Sequence, residues 1–253
     1  MSTFEIHQQN IRQDCFKTTN FNRQIDLLIY HHLQANSIEE TIKSLEYHGV
    51  SAHYLIDVNG KIVQIVDDKN IAFHAGVSFW DGFENLNLNS LGIEMINSAP
   101  FENYFSDNQI RSAIDLGSYL IDKYQIKSRY VLGHSDIAYS SENGLLDRKQ
   151  DPSHLFDWET LCLNGVGFYP ENESADETLL FEIGDTANEI KIIKQKLGFF
   201  GYKISKINND FDIEMQCLAR VFNRHFNNKI DPRNMDLWLL SSNQALDNLL
   251  KLI

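Results

Sequence analysis

The sequence predicts an α/β protein: a central mixed β-sheet flanked by helices, followed by a small C-terminal helical domain. Three observations predict it. Short apolar runs of strand length alternate with stretches whose apolar residues recur at helical spacing; an Asn-Gly dipeptide joins two further strand-like runs; and beyond residue 165 the composition shifts before helical periodicity resumes. With 253 residues, 43% of them hydrophobic, the chain can bury a sizeable core in one large or two smaller domains.

The elements follow in order. Residues 25–30 (IDLLIY) have the length and apolarity of a buried strand, which delivers His31-His32 at its tip. Ser37-Ile38-Glu39-Glu40 has the pattern of a capping box, with Ile38, Ile42 and Leu45 marking one helical face and Gly49 as a stop. Residues 53–58 and 61–66 flank Asn59-Gly60, a dipeptide suited to the two positive φ angles of a type I′ hairpin turn. Residues 91–97 (LGIEMIN) read as another strand, with Glu94 in its middle. Ser106 and Gln109 open a second helix whose stripe is Ile110, Ala113, Ile114, Gly117, Leu120, Ile121 and Tyr124. Residues 130–132 form a short strand running into Gly133-His134.

From Gly165 to about Asp185, Pro170 and the acidic run ENESADE suggest a linker or wrapping segment between a first domain (residues 1–165) and a second (186–253). In the second, Ile190, Ile193 and Leu197 precede Gly198 and Gly201, and Ile213, Leu218, Val221 and Phe222 follow, as in a small helical bundle. At this size it is marginal alone and is expected to pack on the first domain.

Composition excludes several classes. A formal charge of −13, without any Lys/Arg-rich run, argues against a nucleic acid or an anionic membrane as partner. No run approaches the roughly 18 apolar residues of a membrane span. Residues 1–10 lack the basic start and apolar stretch of a secretory leader, so the chain as written is expected in the cytoplasm, or in the periplasm or envelope if a leader has been removed. Cys15, Cys162 and Cys217 are odd in number, dispersed and in no C-x-x-C pair, as expected of buried free thiols rather than of disulfides or a cysteine-rich zinc site. A cysteine hydrolase using one of them finds no local motif. Oligomeric state leaves no mark in the sequence.

Among nine histidines, His31 and His134 stand out, because each follows an apolar strand and strand ends are rigid places from which side chains converge. His31 and His32 must face opposite sides of their strand, so at most one joins a given site. Asp151, held extended by Pro152 and preceded by Arg148-Lys149, either binds a metal or caps a turn. On spacing alone the blander readings stand ahead, since nothing resembles H-E-x-x-H. Those readings make Glu94 a solvent-facing edge-strand carboxylate and Lys149 a solvated surface charge.

Longer motifs shift that balance. Gly133-His134-Ser135-Asp136-Ile137-Ala138, with Arg148-Lys149-Gln150-Asp151-Pro152 after it, resembles the GHSDIAPGRKTDPG signature of the zinc-dependent N-acetylmuramoyl-L-alanine amidase family that includes AmpD and AmiD, the type 2 amidases with the peptidoglycan-recognition-protein fold. Residues 28–32 (LIYHH), 51–57 (SAHYLID), 73–78 (FHAGVS) and 91–97 resemble four further segments, in the family's order, between about residues 25 and 158. The resemblance implies Zn2+ held by His31, His134 and Asp151, two imidazoles and a carboxylate with a fourth position open, which is the composition of a catalytic site. It implies that Glu94 accepts a proton from the attacking water and then protonates the leaving amine. It also implies that Lys149, with Arg148 as rival, stabilises the oxyanion.

His74 is expected to line the cleft without being a ligand, His53 to be a core histidine, and His32 to be structural. The implied substrate is peptidoglycan or an anhydro-muropeptide; the alternative is a non-catalytic peptidoglycan-recognition protein, whose usual mark, a lost ligand, is absent. Two departures concern loops. Residues 139–147 are longer than the family's Pro-Gly turn, and 151–158 (DPSHLFDW) stand in place of DPGPLFPW. Residues 190–226 resemble the peptidoglycan-binding helical domain of AmiD-type enzymes, with Asn208-Asn209-Asp210-Phe211-Asp212 where that domain has a GxFD-type turn.

Overall fold

The computed structural model describes the backbone of residues 6–8, and residues 23–140, 144–171 and 175–253. Cys15 and most of the N-terminal decapeptide lie outside the described residues. The chain divides into two compact units: residues 1–76, 85–134 and 151–167 form the first, and 77–84, 135–150 and 168–253 the second.

The first unit is built on a six-stranded mixed sheet in the order β1-β4-β3-β7-β2-β8. Its strands are β1 (Ile6–Gln8), β2 (Leu27–Gln34), β3 (Tyr54–Ile56), β4 (Ile62–Gln64), β7 (Ser90–Asn97) and β8 (Val131–Gly133). All neighbours are parallel except the β3–β4 hairpin. Strands β2 and β7 pair along eight residues at the centre, where both faces are covered, so Leu27, Leu28, Ile29 and Tyr30 are all fully buried. Burial on both faces is why the sequence there runs apolar instead of alternating.

Strand β2 corrects the sequence reading. It does not stop at Tyr30 but continues through both histidines to Gln34, carried by its pairing with β7. Strand β7 is interior and buried throughout, so Glu94 is no edge-strand carboxylate.

Helix α1 (Ile38–His48) has Ser37 as N-cap and Gly49 as a left-handed C-cap. Its capping box is shifted by one residue: Ser37 Oγ accepts from Glu40 N, but the Glu40 carboxylate accepts from the Asn36 amide instead of that of Ser37. Helix α2 (Asp107–Tyr124) has the full reciprocal box of Ser106 and Gln109, and the Tyr30 hydroxyl donates to Ala113 O within it at 2.8 Å. Helices α3 (His134–Ile137) and α4 (Trp158–Leu163) are short.

The β3–β4 hairpin forms as expected, but its turn is not type I′. The turn spans residues 57–60, closed by Gly60 N donating to Asp57 O at 2.9 Å, and only Gly60, not Asn59, has positive φ (85°). The cause lies upstream: Asp57 Oδ1 accepts from Asn59 N at 2.9 Å and from Lys61 N at 2.8 Å, an Asx-type arrangement that sets the turn one residue early.

In the second unit, α5 (Asn188–Phe200), α6 (Ile213–Phe226) and α7 (Leu240–Leu250) are joined by two small antiparallel pairs. These are β5 (Phe79–Trp80) with β6 (Phe83–Glu84), and β9 (Leu179–Phe181) with β10 (Trp238–Leu239). Fully buried Trp80 meets Phe200 and Tyr202 edge-on, at 5.6 and 4.9 Å between ring centres. No helix among the described residues is long and apolar enough to cross a membrane.

Candidate active site

Strands β2, β7 and β8 run parallel, and ligands of α/β sheets lie beyond the carboxyl ends of such strands. His31 stands in β2, Glu94 is its registered partner in β7, and His134 follows β8 by one residue. Registered residues of parallel neighbours share a face, so Glu94 lies beside His31 on the sheet. Both are buried, at 1% exposure for His31 and 8% for Glu94.

Asp151 completes the group. Its Oδ2 is 3.2 Å from His31 Nδ1 and 2.9 Å from His134 Nδ1. One donor atom from each of the three residues lies within 4.8 Å of the others, and this is the group among the described residues able to hold a metal ion. The set fits zinc: two imidazole nitrogens and one carboxylate oxygen are the donors of an open, catalytic site. His134 Nε2 faces Ala75 O at 3.3 Å, and since a carbonyl only accepts, the proton sits on Nε2 and the lone pair on Nδ1 points to the group. Asp151 Oδ2 thus faces both imidazoles, and the group it completes is His31, His134 and Asp151.

The segment after Asp151 is fixed from the opposite face of β2, where His32 Nδ1 accepts from Ser153 N at 3.2 Å. Lys149 lies in the second unit, half-buried, two residues ahead of Asp151 in the chain. Arg148, in the same unit, donates from Nη2 to Val77 O at 2.7 Å. His53 is a fully buried core histidine: Nδ1 accepts from Gly92 N and Nε2 faces Asn70 O, while burial and then the Arg23 charge pull its pKa down to about 3.

His74 lies closer to the candidate ligands than its sequence motif indicates. Its Nδ1 is 2.9 Å from His31 Nε2, and its Nε2 is 3.3 Å from Ser90 Oγ. Burial, followed by the neighbouring imidazoles of His31, His53 and His134, holds it well below the ordinary histidine range, so the ring is neutral. Gly92 makes the room, since a Cβ there would lie 2.5 Å from the His74 ring. Sequence reasoning missed Ser90. The available signal was the period of two along β7, which puts Ser90, Gly92 and Glu94 on one face.

Two thiols fall within the described residues. Buried Cys217 has its pKa raised to about 11, chiefly by burial, which is the reverse of what a nucleophile needs, and Cys162 is half-buried.

Residues 21–154 match the family Amidase_2, N-acetylmuramoyl-L-alanine amidase. The N-acetylmuramoyl-L-alanine amidase AmiD of Escherichia coli K12 is 32% identical over 221 residues, covering 80% of this chain and 75% of AmiD. The 1,6-anhydro-N-acetylmuramyl-L-alanine amidase AmpD of Haemophilus influenzae is 40% identical over 111 residues, 44% of this chain and 55% of AmpD. Among solved structures, E. coli AmiD in complex with anhydro-N-acetylmuramic acid-L-Ala-D-gamma-Glu-L-Lys superposes with a TM-score of 0.72 at 27% identity, covering 90% of this chain and 89% of AmiD. AmpDH3 of Pseudomonas aeruginosa shares the fold, with a TM-score of 0.71 at 24% identity over 96% of this chain and 98% of its own. With the match spanning more than half its length and an AmiD relative aligned over most of both chains, the chain belongs to the N-acetylmuramoyl-L-alanine amidase family.

Proposed function

We propose that this protein is a zinc-dependent N-acetylmuramoyl-L-alanine amidase that hydrolyses the amide between the lactyl group of muramic acid and L-Ala, in peptidoglycan or in anhydro-muropeptides. The observation that carries the reading is the convergence of His31 Nδ1, His134 Nδ1 and Asp151 Oδ2 beside Glu94. His31, His134 and Asp151 hold the metal, which supplies Lewis acidity at neutral pH.

The chain's own groups do the rest. Glu94 takes a proton from the water that attacks the amide carbon and passes it to the nitrogen of L-Ala as the C–N bond breaks. The products are a muramic carboxylate and a peptide with a free L-Ala amino group. Lys149, two residues before Asp151, offers a positive charge to the oxyanion formed in between.

The test uses the purified protein with an anhydro-muropeptide and with intact peptidoglycan, with and without chelator, reading released peptides by mass spectrometry. L-Ala-initiated peptide that disappears on chelation and returns with zinc is the expected result, and the ratio between substrates gives the preference. Glu94→Gln should lower turnover by about 10²- to 10⁴-fold, the usual worth of a general base, with zinc still bound. Release unaffected by chelation would sink the zinc reading; no release from either substrate would leave a binding protein on the amidase scaffold.

A further inference from the structure

We propose that His74 and Ser90 are positioning residues of the metal centre: together they hold His31 in the one tautomer whose Nδ1 lone pair faces His134 and Asp151. The proposal rests on the zinc reading above. It follows from where each proton must be.

Ser90 Oγ is 2.5 Å from Leu86 O, and a carbonyl only accepts, so the single hydroxyl proton is committed there. Toward His74 Nε2, 3.3 Å away, Ser90 can then offer only a lone pair, which places a proton on His74 Nε2. The His74 ring is buried, where an imidazole with a single proton is favoured over a cation, and that proton is already placed on Nε2; its Nδ1 is therefore an acceptor, and at 2.9 Å it takes the hydrogen bond of His31 Nε2–H. His31 Nδ1 is left with its lone pair, on the side where Asp151 Oδ2 lies 3.2 Å away. The direction of the whole chain is set by the Leu86 carbonyl, which cannot reverse.

The other His31 tautomer would put N–H where a cation needs a lone pair, and would leave His31 Nε2 and His74 Nδ1 as two acceptors facing each other. Metal-binding histidines are commonly oriented by a hydrogen bond from the second ring nitrogen, and losing that partner typically costs 10–100-fold in metal affinity. A neutral imidazole in this role has a further effect: it orients His31 without adding a second negative charge to the one Asp151 brings. Strand β7 supplies the device at alternate positions, with Ser90 fixing the direction, Gly92 leaving space for the ring and Glu94 reserved for chemistry.

Four full-length proteins test this: wild type, His74→Leu, His74→Gln and Ser90→Ala. Zinc affinity is read by competition with a chromophoric chelator, and the His31 tautomer in metal-free protein by imidazole 15N shifts. His74→Leu should bind zinc about 10–100-fold more weakly and lose the pure Nε2–H signature of His31. His74→Gln should restore both, because its amide oxygen accepts from His31 while its NH2 donates to Ser90. Ser90→Ala, which leaves every ring in place, should shift both readouts in the direction of His74→Leu by less, and carries the test if His74→Leu fails to fold.

Wild-type affinity and tautomer in His74→Leu, or a His74→Gln no better than His74→Leu, would overturn the proposal. Wild type that binds no zinc would overturn it together with the zinc reading, and that outcome is recognised before any variant is made.

Discussion

Four side chains converge on the carboxylate of Asp68. Tyr54 Oη and Gln64 Nε2 donate to Oδ1, at 2.5 and 3.0 Å, and Tyr124 Oη and Lys123 Nζ to Oδ2, at 2.7 and 2.9 Å. Burial alone would push this carboxyl up, but the hydrogen bonds from Tyr54, Tyr124 and Lys123 outweigh it and hold the pKa below the ordinary value. A carboxyl depressed in the folded state adds stability that is fully present above its unfolded pKa and is lost as the pH falls through the folded one. Asp68→Asn should therefore cost about 1–3 kcal/mol at pH 7, with the gap to wild type closing toward strongly acid pH. Urea titrations at several pH values check it; a pH-independent gap would assign the cost to geometry instead of charge. This cluster was not visible in the sequence, because it depends on residues brought together from distant segments, whereas Ser90 was missed because the predicted strand began one residue later, at Leu91. The candidate ligands were visible only through resemblance: spacing alone offered a strand-end histidine pair and an Asp-Pro with a blander alternative.

Single elements were far more open to reading. The N-caps Ser37 and Ser106, the stops at Gly49, and the apolar faces of α1 and α2 are written in residues a few positions apart, and local chemistry decided them. The hairpin turn shows where such reading ends. Asn-Gly favours two positive φ angles, but Asp57, just outside the dipeptide, captures two backbone amides and moves the turn. The two residues should consequently respond differently to mutation. Asn59→Ala should change stability by no more than about 0.5 kcal/mol, as at an ordinary surface site. Gly60→Ala should cost at least about 1 kcal/mol, since Gly60 has φ +85° and an added Cβ would lie 2.7 Å from Asn108 O. Thermal melts of the two variants decide it, and equal losses would restore the type I′ turn.

At the scale of the molecule, the alternation of strand and helix patterns made the α/β class readable, whereas the sheet order β1-β4-β3-β7-β2-β8 was not, because strand neighbours are chosen by long-range packing. The membership of the second unit was equally hidden. Residues 77–84 and 135–150 belong to it although they precede its helices by many residues. Residues 135–150 are tied to α6 and its neighbourhood: Asp136 takes hydrogen bonds from Tyr202 at 3.0 Å and His225 at 2.6 Å, and Asp147 meets Arg220 at 2.8 Å and Arg224 at 3.3 Å. A chain cut after residue 185 should expose Trp80, which loses Phe200 and Tyr202. Its tryptophan emission should move to the red of that expected from Trp158 alone; unshifted emission would show that Trp80 stays covered without the C-terminal helices. Such membership also matters during synthesis. Trp80 leaves the ribosome about 120 residues before Phe200, which at roughly 5–20 residues per second is on the order of 6–24 s, and for that interval its indole has no partner from α5 and is a surface for chaperones to cover.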